Sequence, residues 1–182
     1  KEIMNDLVVL HGGSLNGVIG IPGDKSISHR AVMFGAIADG LTQVRGCLMG
    51  EDVLATIEAF RSMGVEIDTR DQDCMKIRGV GLLGLRSPAS SIYLGNSGTS
   101  MRLLAGILSG ANIDTTLEGD ASLSVRPMGR IVCPLRQMGA NIEMSGNETP
   151  PLRVKPARKL TGISYLVPVI SAQVKSGLLL AG

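Results

Sequence analysis

Tryptophan is absent from this 182-residue chain, and phenylalanine and tyrosine occur only twice each. The aromatic platforms on which single-stranded nucleic acid stacks are therefore excluded. Charge of one sign is lacking too. Eighteen Lys and Arg against sixteen Asp and Glu leave a net +2, too little for a nucleic-acid surface. Cys47, Cys74 and Cys133 stand far apart and are accompanied by only two histidines. That pattern gives neither a disulfide framework nor metal-ligand spacing, and it fits free thiols in a reducing cytoplasm. The longest apolar runs, around 103–108 and 178–181, fall well short of a membrane span. Lys1 to Leu10 lack the apolar core of a secretory signal. The expectation is a soluble, cytoplasmic protein that binds neither nucleic acid nor membrane.

With aromatics scarce, the core has to be built from Ile, Leu, Val, Ala and nine Met, within an apolar content of 44%. Such residues suit helices layered on sheets. The 24 Gly and eight Pro do not signal disorder at that apolar content with mixed charge.

What the sequence does contain is a repeat. Arg61-Ser62-Met63-Gly64-Val65-Glu66-Ile67 returns as Arg136-Gln137-Met138-Gly139-Ala140-Asn141-Ile142. Each copy ends a helical pattern, places Gly at the helix C-cap and runs into a strand-like alternation. Further forward, Ser26-Ile27-Ser28-His29-Arg30 matches Gly98-Thr99-Ser100-Met101-Arg102, and a third copy opens at Ser171-Ala172-Gln173-Val174-Lys175. Each carries a basic residue at its fifth position and an apolar run behind it. Within unit one the pattern predicts helix 28–38, strand 42–46, helix 51–63 and strands 66–69 and 75–79. The third unit stops at Gly182 inside its first helix, so a longer parent protein is expected.

Helix starts of this composition hold anions. The unpaired N–H groups and the positive end of the macrodipole face outward, and a Lys or Arg one turn in adds charge-assisted bonds. Gly23–Arg30 and Leu94–Arg102 both have these parts, and neither is a P-loop or a dinucleotide fingerprint. A simple cap followed by a solvated charge accounts for any single copy; recurrence at matched positions favours a shared anion site. Gly119–Pro127 adds Arg126 as an anion ligand or a surface charge, with Pro127 suited to a first helical turn. Glu51 and Asp52 read as helix caps rather than acid–base catalysts, and His29 as a packed or capping residue.

Gly23–Arg30, Leu94–Arg102, Gly119–Pro127 and Ser171–Lys175, in that order over most of the chain, resemble the 5-enolpyruvylshikimate-3-phosphate synthase family. The resemblance implies an α/β (α+β) inside-out barrel domain of the enolpyruvyl transferase type, built from repeated βαβαββ units with the third incomplete. It divides the chain into residues 1–21, a strand segment returning to a carboxy-terminal domain, and residues 22–182, the amino-terminal domain. The implied reaction moves the enolpyruvyl group of phosphoenolpyruvate to the 5-hydroxyl of shikimate 3-phosphate, by addition and elimination, without metal or organic cofactor. By the same resemblance Lys25, Ser26, Arg30, Ser171, Ala172 and Gln173 hold shikimate 3-phosphate. Lys25, Asn96, Gly98, Thr99, Arg102, Arg126 and Gln173 hold phosphoenolpyruvate, and Lys25 also serves catalysis. Ala172 replaces a serine common in the family, leaving it only its backbone.

Gly98 matches the glycine whose replacement by alanine obstructs glyphosate, so the resemblance implies a glyphosate-sensitive enzyme, monomeric at full length. The proton-transfer acid and further cationic ligands belong to the other domain, so the chain alone is expected to bind shikimate 3-phosphate without turnover. The sister enzyme acting on UDP-N-acetylglucosamine has Lys-Asn where this chain has Lys25-Ser26. It also carries a reactive Cys in a loop that here, at Ala121–Val125, contains none. A non-catalytic phosphometabolite-binding module is the alternative from another class.

Overall fold

The computed structural model describes residues 8, 10–14, 16–71 and 73–182. Helix α1 (Lys25–Ile37) is followed by strand β1 (Asp39–Arg45), helix α2 (Glu51–Ser62) and strands β2 (Glu66–Asp68) and β3 (Cys74–Val80). A second run comprises β4 (Ile92–Tyr93), α3 (Gly98–Gly110), β5 (Thr115–Glu118), a short α4 (Ala121–Ser124), α5 (Gly129–Gln137), β6 (Asn141–Glu143) and β7 (Leu152–Lys155). Helix α6 (Ala172–Ala181) closes the chain. The expected elements of unit one are present with shifted ends. The largest shifts are at the starts of β1, at Asp39 rather than 42, and of α1, at Lys25 rather than 28. Asp24 caps α1 there, its carboxylate accepting from the Ile27 N–H at 2.7 Å.

The repeat is visible in the sheets. In the first, strands lie in the order β1-β3-β2; in the second the same arrangement returns as β5-β7-β6, with β4 added parallel to β5. Unit two is thus a complete βαβαββ. The strand segment expected over residues 1–21 falls partly on 1–7, 9 and 15, outside the described residues; the described residues before α1 carry no strand.

The repeated Arg-x-Met-Gly-x-x-Ile has a structural cause. Gly64 and Gly139 adopt left-handed φ of 91° and 101°, which ends α2 and α5 at the same point. The Val65 N–H then reaches back to Phe60 O at 3.0 Å, and the Ala140 N–H to Leu135 O at 3.0 Å. Arg61 donates through Nε and Nη2 to the Ile67 carbonyl at 3.1 and 2.6 Å. Arg136 does the same to Ile142 at 2.8 and 2.6 Å. Each arginine pins a helix end to the strand that follows it.

The core lies between the helices and beneath one face of each sheet. Met33, Ile57, Phe60, Leu104, Leu108 and Ile131 are buried there with Ile77, Leu117 and Val154 from the strands. Most of α3 is buried, which fits its apolar sequence and an arrangement with helices inside and sheets outside. Helix α6 comes against α3 so closely that a Cβ on Gly106 would sit 2.1 Å from the Gly177 carbonyl oxygen. Two facing glycines permit this approach, and it brings the first turn of α6 to the first turn of α3.

Candidate functional site

Lys25 and Ser26 occupy the exposed first turn of α1. Lys25 forms an ion pair with Asp52 in the first turn of α2. The expectation that Glu51 and Asp52 cap α2 is corrected. Gly50 is the N-cap, its carbonyl accepting from Val53 and Leu54 at 2.9 Å each, and no side chain caps the helix. The two acids lie one step inside, where they complement the helix dipole. One turn into α1, Arg30 donates to Ser26 O at 3.1 Å and to Ser176 Oγ of α6 at 2.8 Å. His29 is fully buried and donates no cap.

Strand β4 delivers the Leu94–Ser97 turn, and Ser97 caps α3 by accepting from the Ser100 N–H at 3.2 Å. Asn96 is exposed beside this cap, and Gly98 and Thr99 open the helix. Arg102, one turn in, donates to Gly98 O at 3.3 Å, Pro127 O at 3.3 Å and Gln173 Oε1 at 2.8 Å. The other end of the Gln173 amide donates to Thr99 Oγ1 at 2.9 Å. Gln173 follows Ser171, the N-cap of α6, and Ala172, its first residue. Arg126 donates to both oxygens of Asn96 and to Ser122 Oγ at 3.2 Å. Pro127 is not in a first helical turn as expected. Met128 is the cap of α5, so Pro127 lies in the link after α4 and gives its carbonyl to Arg102.

Gly98 is where the cations meet. A Cβ there would stand 2.8 Å from Arg102 Nη1 and 3.2 Å from Arg126 Nη1. Arg102 is half-buried, and burial first, then the nearby Arg126 and Arg130 charges, push its pKa below the ordinary arginine value. Arg61, Arg70, Arg78, Arg153 and Lys155 each have a carboxylate partner. Among the described residues Arg30, Arg102 and Arg126 have only neutral acceptors. Clustered guanidinium groups held by neutral acceptors keep their attraction for an incoming anion.

The three matched basic positions do not all converge. Arg30 and Arg102 reach the start of α6, whereas Lys175 is exposed in a different cavity beside Met138, Tyr165 and Leu178. Arg126 takes the third place. A concavity of about 350 Å³ elsewhere is lined by Cys47, Met49, Asp71 and Asp73 among others, with no cation among the described residues lining it, so it does not suit an anion. Sequence reasoning missed Ser176 as a partner of Arg30 and Asp52 as a partner of Lys25. A small hydroxyl on the face of α6 next to the repeat motif was the available signal for the first; nothing local marked the second.

The sequence model of the family "EPSP synthase (3-phosphoshikimate 1-carboxyvinyltransferase)" matches residues 9–182. The 3-phosphoshikimate 1-carboxyvinyltransferase of Nitrosococcus oceani is 55% identical, over 100% of this chain and 42% of its own length. That of Halorhodospira halophila is 58% identical, over 96% of this chain and 39% of its own. The EPSP synthase structure from Acinetobacter baumannii superposes with a TM-score of 0.88 at 57% identity, covering 91% of this chain and 38% of that one. The chain therefore spans about two-fifths of the length of these relatives. Its fold is the inside-out α/β fold of the enolpyruvyl transferases that the family resemblance implied. With the repeat, the helix starts and the relatives in agreement, the chain belongs to the EPSP synthase family.

Proposed function

We propose that this chain supplies one side of the site of an enzyme that joins phosphoenolpyruvate to shikimate 3-phosphate, releasing phosphate. The observation that carries the reading is the set of three arginines at adjoining helix starts, Arg30, Arg102 and Arg126, held by neutral acceptors alone. Both substrates bear phosphate and one adds a carboxylate, so their approach is opposed by mutual repulsion. Cations fixed in advance remove that repulsion without reorganising during reaction, and they fix the reacting atoms together.

In this reading the α1 and α6 starts, with Lys25, Ser26, Arg30, Ser171, the Ala172 backbone and Gln173, hold shikimate 3-phosphate. Asn96, Gly98, Thr99, Arg102 and Arg126 hold phosphoenolpyruvate, with Lys25 and Gln173 shared between the two. The 5-hydroxyl oxygen adds to C2 of phosphoenolpyruvate while a proton goes to C3. Loss of a proton from that carbon then expels phosphate and restores the double bond. In this reading Lys25, paired with Asp52 in the free chain, neutralises charge on both ligands once they displace or share that partner. Glyphosate, itself an anion, is a ligand of the same cations. The proposed setting is cytoplasmic.

Phosphate release from the two substrates, followed in the full-length protein, tests the proposal. Lys25→Ala should lower turnover by roughly a hundredfold or more, in the range of removing one electrostatic stabiliser. Turnover close to that of the parent would refute the role of Lys25. Calorimetric titration of this chain with shikimate 3-phosphate should give binding that weakens as salt rises.

A further inference from the structure

Beneath the arginines lies a second polar group that none of the proposed substrate contacts uses. His29 of α1, Thr56 of α2, Ser100 of α3 and its cap Ser97 are all buried. Thr56 Oγ1 lies 2.9 Å from His29 Nδ1, 2.8 Å from Ser100 Oγ and 3.2 Å from the Asp52 carbonyl oxygen. Ser100 Oγ lies 2.6 Å from Ser97 Oγ. The Ser100 N–H donates to Ser97 Oγ at 3.2 Å.

One arrangement of protons satisfies every one of these contacts. A hydroxyl has a single proton, and the Asp52 carbonyl can only accept, so the Thr56 proton goes there. Thr56 must then accept from Ser100 and from His29, which fixes His29 as the Nδ1–H tautomer. Ser100, its proton given, accepts from Ser97, and Ser97 keeps a lone pair for the backbone cap. The remaining atom is His29 Nε2, which this order leaves as a bare acceptor; it has no partner among the described residues.

We infer that His29 and Thr56 are positioning residues for the proposed reaction, on which this inference rests. The chain they form ties together three helix starts. His29 lies between Lys25 and Arg30 on α1. Thr56 is one turn after Asp52, the partner of Lys25. Ser97 holds the opening of α3, with Asn96 on one side and Gly98, Thr99 and Arg102 on the other. Directional hydrogen bonds with one proton order add to the apolar packing a fixed register between the three helices. A misplacement near 1 Å is enough to lower a rate about a hundredfold. The charged groups facing His29 are Asp52 from α2 and Lys25 and Arg30 from its own helix. A second N–H, on Nε2, would find no acceptor among the described residues, which disfavours the charged ring.

The test compares Thr56→Val, which keeps the shape and removes the hydroxyl, with Thr56→Ser, which keeps the hydroxyl. Ile57→Val on the same buried turn serves as the packing control. In the full-length protein Thr56→Val should lower kcat/KM for both substrates roughly tenfold or more, while Thr56→Ser and Ile57→Val stay within about threefold of the parent. A Thr56→Val protein with unchanged kcat/KM, or an equal loss in Ile57→Val, would overturn the assignment. Should Thr56→Val fail to fold, ¹⁵N NMR of the unaltered protein reads the tautomer of His29: Nδ1–H supports the chain and Nε2–H overturns it. Absence of turnover in the parent protein would count against the proposed reaction, while the NMR result would still decide the proton order.

Discussion

Gln173 accepts a hydrogen bond from Arg102 at 2.8 Å across 71 positions of sequence, and its amide nitrogen donates to Thr99 Oγ1 at 2.9 Å. One side chain of α6 therefore sets both the guanidinium and the hydroxyl at the start of α3. Gln173→Leu would remove both bonds while keeping the volume. Each such bond contributes about 1 kcal/mol, and more when one partner is charged. The expected result is a rise of about tenfold in KM for phosphoenolpyruvate with a stability loss near 1 kcal/mol. Steady-state kinetics beside urea unfolding would check it; unchanged KM would remove Gln173 from the phosphoenolpyruvate side.

Gly98→Ala should separate site from fold. The added Cβ would meet Arg102 Nη1 at 2.8 Å and Arg126 Nη1 at 3.2 Å, both the far ends of flexible side chains, so the backbone need not move. Gly98 is also the first residue of α3 and has no left-handed φ, so alanine fits its backbone. The variant is expected to fold with stability equal to or above the parent and to bind phosphoenolpyruvate and glyphosate more weakly. Affinity for shikimate 3-phosphate should be nearly unchanged. Calorimetry with each ligand separates these outcomes, and equal losses for all ligands would mean that the methyl disturbs the helix start as a whole.

Gly106→Val should act on the same site from a distance. The Gly177 carbonyl oxygen stands 2.1 Å from where a Cβ would be, and backbone cannot retreat as a side chain can. Helix α6 must then move away from α3, taking Gln173 and Ser176 from Arg102 and Arg30. Overpacking of this kind costs about 1–3 kcal/mol. Loss of shikimate 3-phosphate binding with α3 still protected in hydrogen exchange is the expected signature; retained binding would show that α6 docks independently of the glycine pair.

Much of this was legible in the sequence, for identifiable reasons. The Arg-x-Met-Gly-x-x-Ile repeat could be read because helix end, left-handed glycine and strand are local in sequence, and Arg61 and Arg136 confirm it with the same bond to the same carbonyl. The helix starts could be read for the same reason. What could not be read was which way each basic residue turns. Arg30 and Arg102 share a repeat position with Lys175, yet the first two meet α6 while Lys175 lies beside Tyr165 and Leu178. Nor could the Lys25–Asp52 pair be foreseen, since it depends on how α1 and α2 cross. The buried chain from His29 to Ser97 is hidden by the same rule: its members occupy apolar-face positions of three helices, and only packing brings them together.

His29 also makes stability depend on pH in a window of its own. Burial pushes its pKa below the ordinary histidine value; Asp52 opposes this, and Lys25 and Arg30 add to it. An unfolded chain therefore takes up a proton near pH 6.5 that the folded chain refuses until lower pH. Stability contributed by the neutral ring is fully present above about 6.5 and is lost as the pH falls from there through the folded-state value, by about 1.4 kcal/mol for each unit between the two. Asp114 and Glu143 also have pKa values below the carboxylate norm, held by hydrogen bonds from Arg153 and Lys155. Their contributions are present above about pH 4.5 and fade only beneath it, so they stay constant between pH 7.5 and 5.5. Urea midpoints between pH 7.5 and 5.5 should fall for the parent protein. They should stay level for His29→Asn, whose amide can replace the Nδ1–H donor and does not titrate. Parallel slopes in the two proteins would mean that the proton is taken up elsewhere.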